Sequence, residues 1–321
     1  MNRNDQNHMD GKYGHSAEKP KQIPSKGWKN IGKRVVDQIK ADHLPLVSAG
    51  VAFYIFLAIF PAIAALISVY GLMTEPQQVQ QQMSQVTAFL PEQAHQLISQ
   101  SLQNMASQSG QALGWGVAIS VLLSLWSANK GTKALFQGVN IAYDEDNTRS
   151  FLKENGITLL FTFVAIIIAI ICMTLIIGFP ALAGNLGLPS IAQTLISIGR
   201  WVVLGAIIVF WVALIYKVAP VRKNPQFRWV SYGAVIATFM WLVGSWAFSF
   251  YVSNFGSYNK TYGSVAAIVI LMLWFFLSAF VILLGAEINS EMEQQTRRDT
   301  TVGETQPMGE REAYHADHVS G

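Results

Sequence analysis

The residues of this chain that can do chemistry stand at the edges of its apolar runs. Asp42 and His43 precede LPLVSAGVAFYIFLAIFPAIAALISVYGLM, residues 44–73, and Glu287 with Asn289 closes the last such run in LLGAEINSE. Ionisable groups are costly at membrane depth and, where they occur, mark ion or substrate pathways. If the first and last runs are neighbours, Asp42 and Glu287 can share a basic partner or a cation near one mouth. Water and headgroups would satisfy them otherwise. Within the first run Pro61 removes a backbone donor and pushes on the preceding turn, so a kink or partial unwinding near mid-membrane is expected, serving either packing or a hinge. Ser48, Ala49, Gly50 and Ala52 are small enough to let a neighbouring helix come close.

No catalytic or metal-binding pattern accompanies these groups. The six histidines, His8, His15, His43, His95, His315 and His318, are scattered, and neither a phosphate-binding Gly-Lys loop nor a nucleophile elbow occurs. Cys172 has no second cysteine to pair with and lies in an apolar run, where a buried packing role is expected. The chain is therefore read as no enzyme, with no cofactor and no metal.

The elements that must position Asp42 and Glu287 are membrane spans. Only 13% of the residues are charged and 51% are hydrophobic, whereas about a quarter of a soluble domain is charged. Apolar segments at 44–73, 112–128, 155–180, 201–219, 229–253 and 264–286 are each read as a helix that crosses the bilayer, which takes about 20 residues. Of the 22 Lys and Arg, only Arg200 and Lys260 fall in the segments expected on one side. The rest gather before the first span, in the loops 129–154 and 217–228, and after 287. Because basic residues accumulate on the cytoplasmic side, both termini are expected there. The fold class is thus all-α, a polytopic integral membrane protein with six transmembrane helices.

Residues 1–25 and 292–321 read as disordered cytoplasmic tails around a membrane domain at 26–291. Trp28, Ile31, Val35 and Ile39 fall at helical spacing beside Lys29, Lys33, Arg34 and Lys40, the pattern of a basic amphipathic helix lying on an anionic lipid surface. Residues 74–111 read as an external helical hairpin, with one stripe of Val79, Met83, Val86 and Leu90 and a second helix opening at Pro91 and Glu92. That stripe can rest on the outer leaflet, cap a cavity or pack on the protein itself. Trp115, Trp126, Trp201, Trp229 and Trp246 suit an interfacial aromatic belt.

DHLPLVSAGVAFYIFLAIFPAIAALISVYG (42–71), LWSANKGTKALFQGVNIAYDEDNTRSF (125–151), IYKVAP (215–220), RWVSYGAVIATFMWL (228–242) and YGSVAAIVILMLWFFLSAFVILLGAEINSE (262–291) resemble the YihY/BrkB family of bacterial inner-membrane proteins. The resemblance covers roughly residues 28–291. It implies six spans with cytoplasmic ends, and it brings an association with resistance to host killing and an old ribonuclease name regarded as a misassignment. The absence of clustered metal ligands and of a basic soluble domain argues against a nuclease and against nucleic-acid partners. Positions matching the family pattern include Asp42, Gly50, Tyr54, Pro61, Asn140, Tyr143, Arg149, Pro220, Tyr262, Gly285, Glu287 and Asn289. From these, Asp42, Gly50, Tyr54, Pro61, Tyr262, Glu287 and Asn289 are the candidate hinge or pathway residues.

The functional expectation is a transporter or exporter of a lipid-like or small amphipathic substrate in the bacterial inner membrane, since too few charges lie in the spans to line a wide aqueous pore. The alternative is a non-transporting envelope scaffold that docks partners through the hairpin. Membrane lipids, envelope proteins and a second copy of the chain are the expected partners.

Overall fold

The computed structural model describes residues 13–73, 110–178, 189–254 and 256–319. They are helical almost throughout: α1 (Ser25–Ala41), α2 (Leu44–Met73), α3 (Gly110–Ala142), α4 (Phe151–Met173), α5 (Ser190–Val218), α6 (Phe227–Asn254), α7 (Gly256–Gln294) and the single turn α8 (Tyr314–Asp317). Short helical pieces of other pitch stand at Pro20–Gln22 and Thr174–Gly178. Among the described residues four stretches, Phe151–Ile176, Ile191–Val218, Phe227–Ser253 and Ile268–Gln294, are long and apolar enough to cross a membrane, and the bent pair of Ser25–Ala41 and Leu44–Ile59 makes up to a fifth. The helices outrun the apolar segments of the sequence. Residues 256–263, which fall between the expected spans 229–253 and 264–286, belong to α7. The expected hairpin falls on residues outside those described, apart from Gly110 and Gln111, which open α3.

The composition explains why these helices form. In α4 the exposed side chains Leu160, Phe163, Ile167 and Ile170 repeat at three- and four-residue spacing, as do Phe239, Val243, Trp246 and Phe250 along α6. An aliphatic face this continuous is stable against hydrocarbon, where only backbones bonded within their own segment persist. In water it would be a large exposed apolar patch.

Two compact units are present: Met1–Ser48 with Leu135–Val243 and Ser278–Gly321, and Ala49–Ala134 with Gly244–Leu277. In the first, the stripe on α1 meets protein. Ile31 and Val35 are buried with Ala17, Ile23, Trp229 and Met292, and Trp28 and Ile39 pack against that cluster. The periodicity of α1 was legible, but its apolar face covers Trp229 and Met292 and not a lipid surface. Burying each large aliphatic side chain stabilises by about 1.5–3 kcal/mol. Trp229, expected in an aromatic belt, is wholly buried, whereas Trp126, Trp201 and Trp246 are exposed. Cys172, expected buried, is partly exposed.

Neither terminal segment behaves as a solvated tail over its described residues. Gln295 Nε2 donates to Tyr13 O at 2.9 Å and Thr296 Oγ1 to Ala17 O at 2.6 Å, tying the two ends of the chain together. Arg311 donates from Nη1 to Ala316 O (2.6 Å) and from Nη2 to Arg297 O (2.8 Å). Lys223 N bonds Glu312 O at 2.9 Å, and Pro225 pairs with Thr301 as an antiparallel bridge. A polar sequence read as disordered by composition is held here by side-chain bonds to its own carbonyls, which satisfy buried backbone groups as a helix would.

The sharp bend of the first span lies at its start. α1 and α2 meet at 63° across Asp42 and His43, and His43 takes a left-handed φ of 50°. α2 runs unbroken from Leu44 through Pro61 to Met73, so the unwinding expected at Pro61 is absent. In the second unit, Gly131 faces Ile55, whose Cγ1 would lie 3.2 Å from an added Cβ. Gly50 has open space where a side chain would stand, so it is not a point of close helix approach.

Candidate functional site

The last two turns of α7 carry Glu287, Asn289, Ser290, Glu291 and Glu293, all buried. Five polar residues at the end of an apolar helix require partners, and each finds a different one. Asn289 accepts the Gly233 N–H through Oδ1 at 2.8 Å and donates from Nδ2 to Val230 O at 3.2 Å. Beside it, a Cβ on Gly233 would overlap Gly285 O, and one on Gly285 would overlap the Tyr216 hydroxyl. The α6 and α7 backbones touch at glycine, which fixes their spacing. Tyr216 in turn donates to Ile282 O at 2.6 Å.

Glu287 finds a carboxyl. Its side chain lies against that of Asp42, and no N–H or O–H among the described residues reaches Asp42 Oδ2 or Glu287 Oε1. Its second oxygen has only a long contact, 3.5 Å, from Ser290 Oγ. Two ionised carboxylates cannot hydrogen-bond to each other, and like charges about 4 Å apart repel by about 4 kcal/mol at an effective dielectric of 20. A proton between the two groups would turn that repulsion into a hydrogen bond. Asp42 reaches this position because it caps α1, its N–H on Gln38 O at 2.9 Å, at the joint where the chain turns into α2.

Asp144 and His315 complete the surroundings. His315 Nε2 lies 3.1 Å from Asp144 Oδ2, with the imidazole buried and the carboxylate partly exposed. Asp144 also has a left-handed φ, 50°, a conformation Asp tolerates better than most residues. Burial pushes the Asp42 carboxyl above its ordinary value and Asp144 adds to this, while the hydrogen bond with Glu287 and the charges of His315 and His43 oppose it. Glu145, next to Asp144, is also raised by burial, against the hydrogen bond it accepts from Tyr314 N. Among the described residues no three His, Cys, Asp or Glu side chains converge as they would on a metal ion.

The other two glutamates have arginines. Glu291 pairs with Arg34 of α1, whose guanidinium also donates to Glu291 O at 2.9 Å. Glu293 is held by Arg222 through two bonds, 3.0 and 2.6 Å, with both side chains almost wholly buried. Thr300 Oγ1 donates to Glu293 at 2.7 Å, and the guanidinium lies 4.4 Å from the Tyr143 ring centroid. Burial lowers the Arg222 pKa, but Glu293 outweighs it and holds the guanidinium above its ordinary value. Arg222 thus belongs to a buried ion pair, not to the solvated loop charge it suggests in the sequence.

The resembling blocks at 125–151 and 215–220 are one structure. α5 ends with free carbonyls, as every helix does. Arg149 donates to Val218 O (2.7 Å), Ala219 O (2.9 Å) and Pro220 O (3.2 Å). Asn140 donates to Ala219 O at 3.2 Å and accepts the Val221 N–H at 2.8 Å. A guanidinium at a helix C-terminus is favourable in charge as well as in bonding.

Of the seven candidate residues, Asp42 and Glu287 come together in the first unit, where Asn289 turns instead to Gly233 and Val230. Gly50 and Tyr54 belong to the second unit, with Tyr54 exposed and edge-on to Phe53. Pro61 and Tyr262 lie within α2 and α7. The basic partner that the sequence offered to Asp42 and Glu287 is elsewhere, since Arg34 goes to Glu291. Asp144 and His315 were not anticipated. Both lie in polar segments whose spacing gives no helical face, so nothing local pointed to them.

The chain is 30% identical over 256 residues to the putative ribonuclease-like protein YfkH of Bacillus subtilis, covering 78% of this chain and 90% of that one. It is 24% identical over 277 residues to UPF0761 membrane protein NTHI0384 of Haemophilus influenzae, covering 83% and 96%. A UPF0761 membrane protein of Xanthomonas campestris is 38% identical over 81 residues, a quarter of this chain. No solved structure matches. The family model described as virulence factor BrkB matches residues 35–309, which include the carboxyl pair, the Arg149 clamp and the Arg222–Glu293 pair. The chain is a membrane protein of the BrkB family.

Proposed function

We propose that this chain is a transporter or exporter of a lipid-like or small amphipathic molecule in the bacterial inner membrane, built on six spans with both termini cytoplasmic. The observation that carries the reading is the carboxyl pair. Glu287 is buried at the end of an apolar helix with Asp42 beside it, and among the described residues no Lys or Arg pairs with either, whereas Glu291 and Glu293 each have an arginine. Such groups are expensive where they are and are retained in membrane proteins for moving ions or substrates. The bare aliphatic faces of α4 and α6 and the scarcity of charge in the spans favour a path for an amphipathic molecule over a wide aqueous pore. The reading assigns no catalytic step, cofactor or nucleic-acid partner to the chain. α2 and α3 supply the two spans beyond the four apolar helices, and the sorting of Lys and Arg supplies the orientation.

Reconstitution into phospholipid vesicles tests it. Labelled phospholipid and labelled small amphiphiles should cross faster in protein-containing vesicles than in empty ones, and Glu287→Ala should abolish the difference. Correctly folded protein that moves neither class would overturn the reading. Deleting residues 74–109 separates it from a scaffold: loss of co-purifying envelope proteins with transport unchanged would favour docking.

A further inference from the structure

We propose that Asp42 and Glu287 together form a proton-binding site, holding one exchangeable proton. The stoichiometry follows from bonding. Asp42 Oδ2 and Glu287 Oε1 are buried and lack any donor, and a carboxylate has no hydrogen of its own to offer. One proton converts the repulsive pair into a carboxyl donating to a carboxylate. A second proton would remove the carboxylate that accepts the first, and with it the bond that joins the two groups.

The surroundings set when that proton leaves. Glu287 faces Asp42 across the α1–α2 joint, with Glu291 one turn further along α7 and Asp144 beyond the end of α3. The Tyr143 hydroxyl lies in the same electrostatic neighbourhood. Glu291 is neutralised by Arg34, leaving Asp144 as the negative charge that retains the proton and His315, with His43, as the cations that favour its release. Asp42 is itself partly exposed while Glu287 is buried, so the pair meets water at Asp42.

This site rests on its own geometry, and its use as the coupling site for transport rests in addition on the function proposed above. The two are separable. Infrared spectra of the full chain in detergent, recorded across a pH series, read the C=O stretch of a protonated carboxyl. The wild-type chain should show one such band persisting at neutral pH, absent from both Asp42→Asn and Glu287→Gln, in which the new amide supplies the missing donor. Asp144→Asn should keep the band and move its loss to lower pH. No protonated carboxyl at neutral pH, a band unchanged in both single variants, or a titration indifferent to Asp144→Asn would each overturn the site. In vesicles, an imposed proton gradient should change the rate of lipid movement severalfold in the wild type and leave Glu287→Gln unaffected. A band that behaves as expected in a chain that moves no substrate refutes the transport reading and keeps the proton site. Transport with no such band does the reverse.

Discussion

Asn289 bridges α7 to α6 by accepting the backbone N–H of Gly233 and donating to Val230 O, at the level where Gly233 and Gly285 let the two backbones touch. A side chain added there meets main chain, which cannot rotate away. Gly233→Ala should therefore lower stability by about 1–3 kcal/mol, the usual cost of overpacking, while Asn289→Ala leaves buried groups unpaired for a similar loss. Gly50→Ala, where space is open, should be neutral or stabilising by up to about 1 kcal/mol. Thermal unfolding in detergent ranks the three, and equal effects of Gly233→Ala and Gly50→Ala would contradict the packing described.

Arg222 and Glu293 form a pair with almost no solvent on either side chain. Removing one partner strands a buried charge, so Arg222→Met alone should destabilise by about 3–5 kcal/mol. Arg222→Met combined with Glu293→Gln should cost less than the sum of the single changes. A double-mutant cycle by denaturant unfolding reads the coupling. Strict additivity would mean that the two side chains do not interact as described.

Asp42 and Asp299 carry opposite signs in the pH dependence of stability. Asp42 is raised, first by burial, so between about pH 3.8 and its folded pKa the native state binds more protons than the unfolded one. Stability falls as pH rises through that window. Burial also raises Asp299, but hydrogen bonds from Gln306 N, Thr301 N and Thr301 Oγ1 outweigh it and hold it below its ordinary value. Its contribution is present above about pH 3.8 and is lost as pH falls through its folded pKa. Asp42→Asn should flatten the upper part of a melting-temperature profile and Asp299→Asn the acid part. An unchanged slope in either variant contradicts the corresponding assignment.

Arg311 holds the segment after α7 closed through carbonyls of Arg297, Gln306 and Ala316. Arg311→Ala should release it, and limited proteolysis should then cut between residues 297 and 319 at least tenfold faster than in the wild type. Equal rates would mean that the segment is held by other contacts.

Much of this architecture is legible in the sequence because membrane spans are written as composition. Residues 44–73 read as one span and are one helix. The stripe Trp28, Ile31, Val35 and Ile39 was visible, but its partner was not, since periodicity fixes a face and says nothing of what covers it. The same limit hid the C-terminal fold. Thr296, Arg311 and His315 are polar residues in a polar segment, and their burial depends on carbonyls far along the chain. Asp42 and Glu287 stood out because each ends an apolar run, though the partner offered to them was a cation. Their actual relationship required the bend at His43, a left-handed residue that no local pattern announces.

The account stands on the polar end of the first unit facing one aqueous compartment. In a Cys172→Ser background, single cysteines at the exposed positions Lys21, Lys153, Asn224 and Glu304 sample four segments of that unit. With a membrane-impermeant maleimide on intact, outer-membrane-stripped cells, all four should stay unlabelled and all four should react once the inner membrane is opened. Labelling of any one of them from outside, while the others stay protected, would contradict the arrangement.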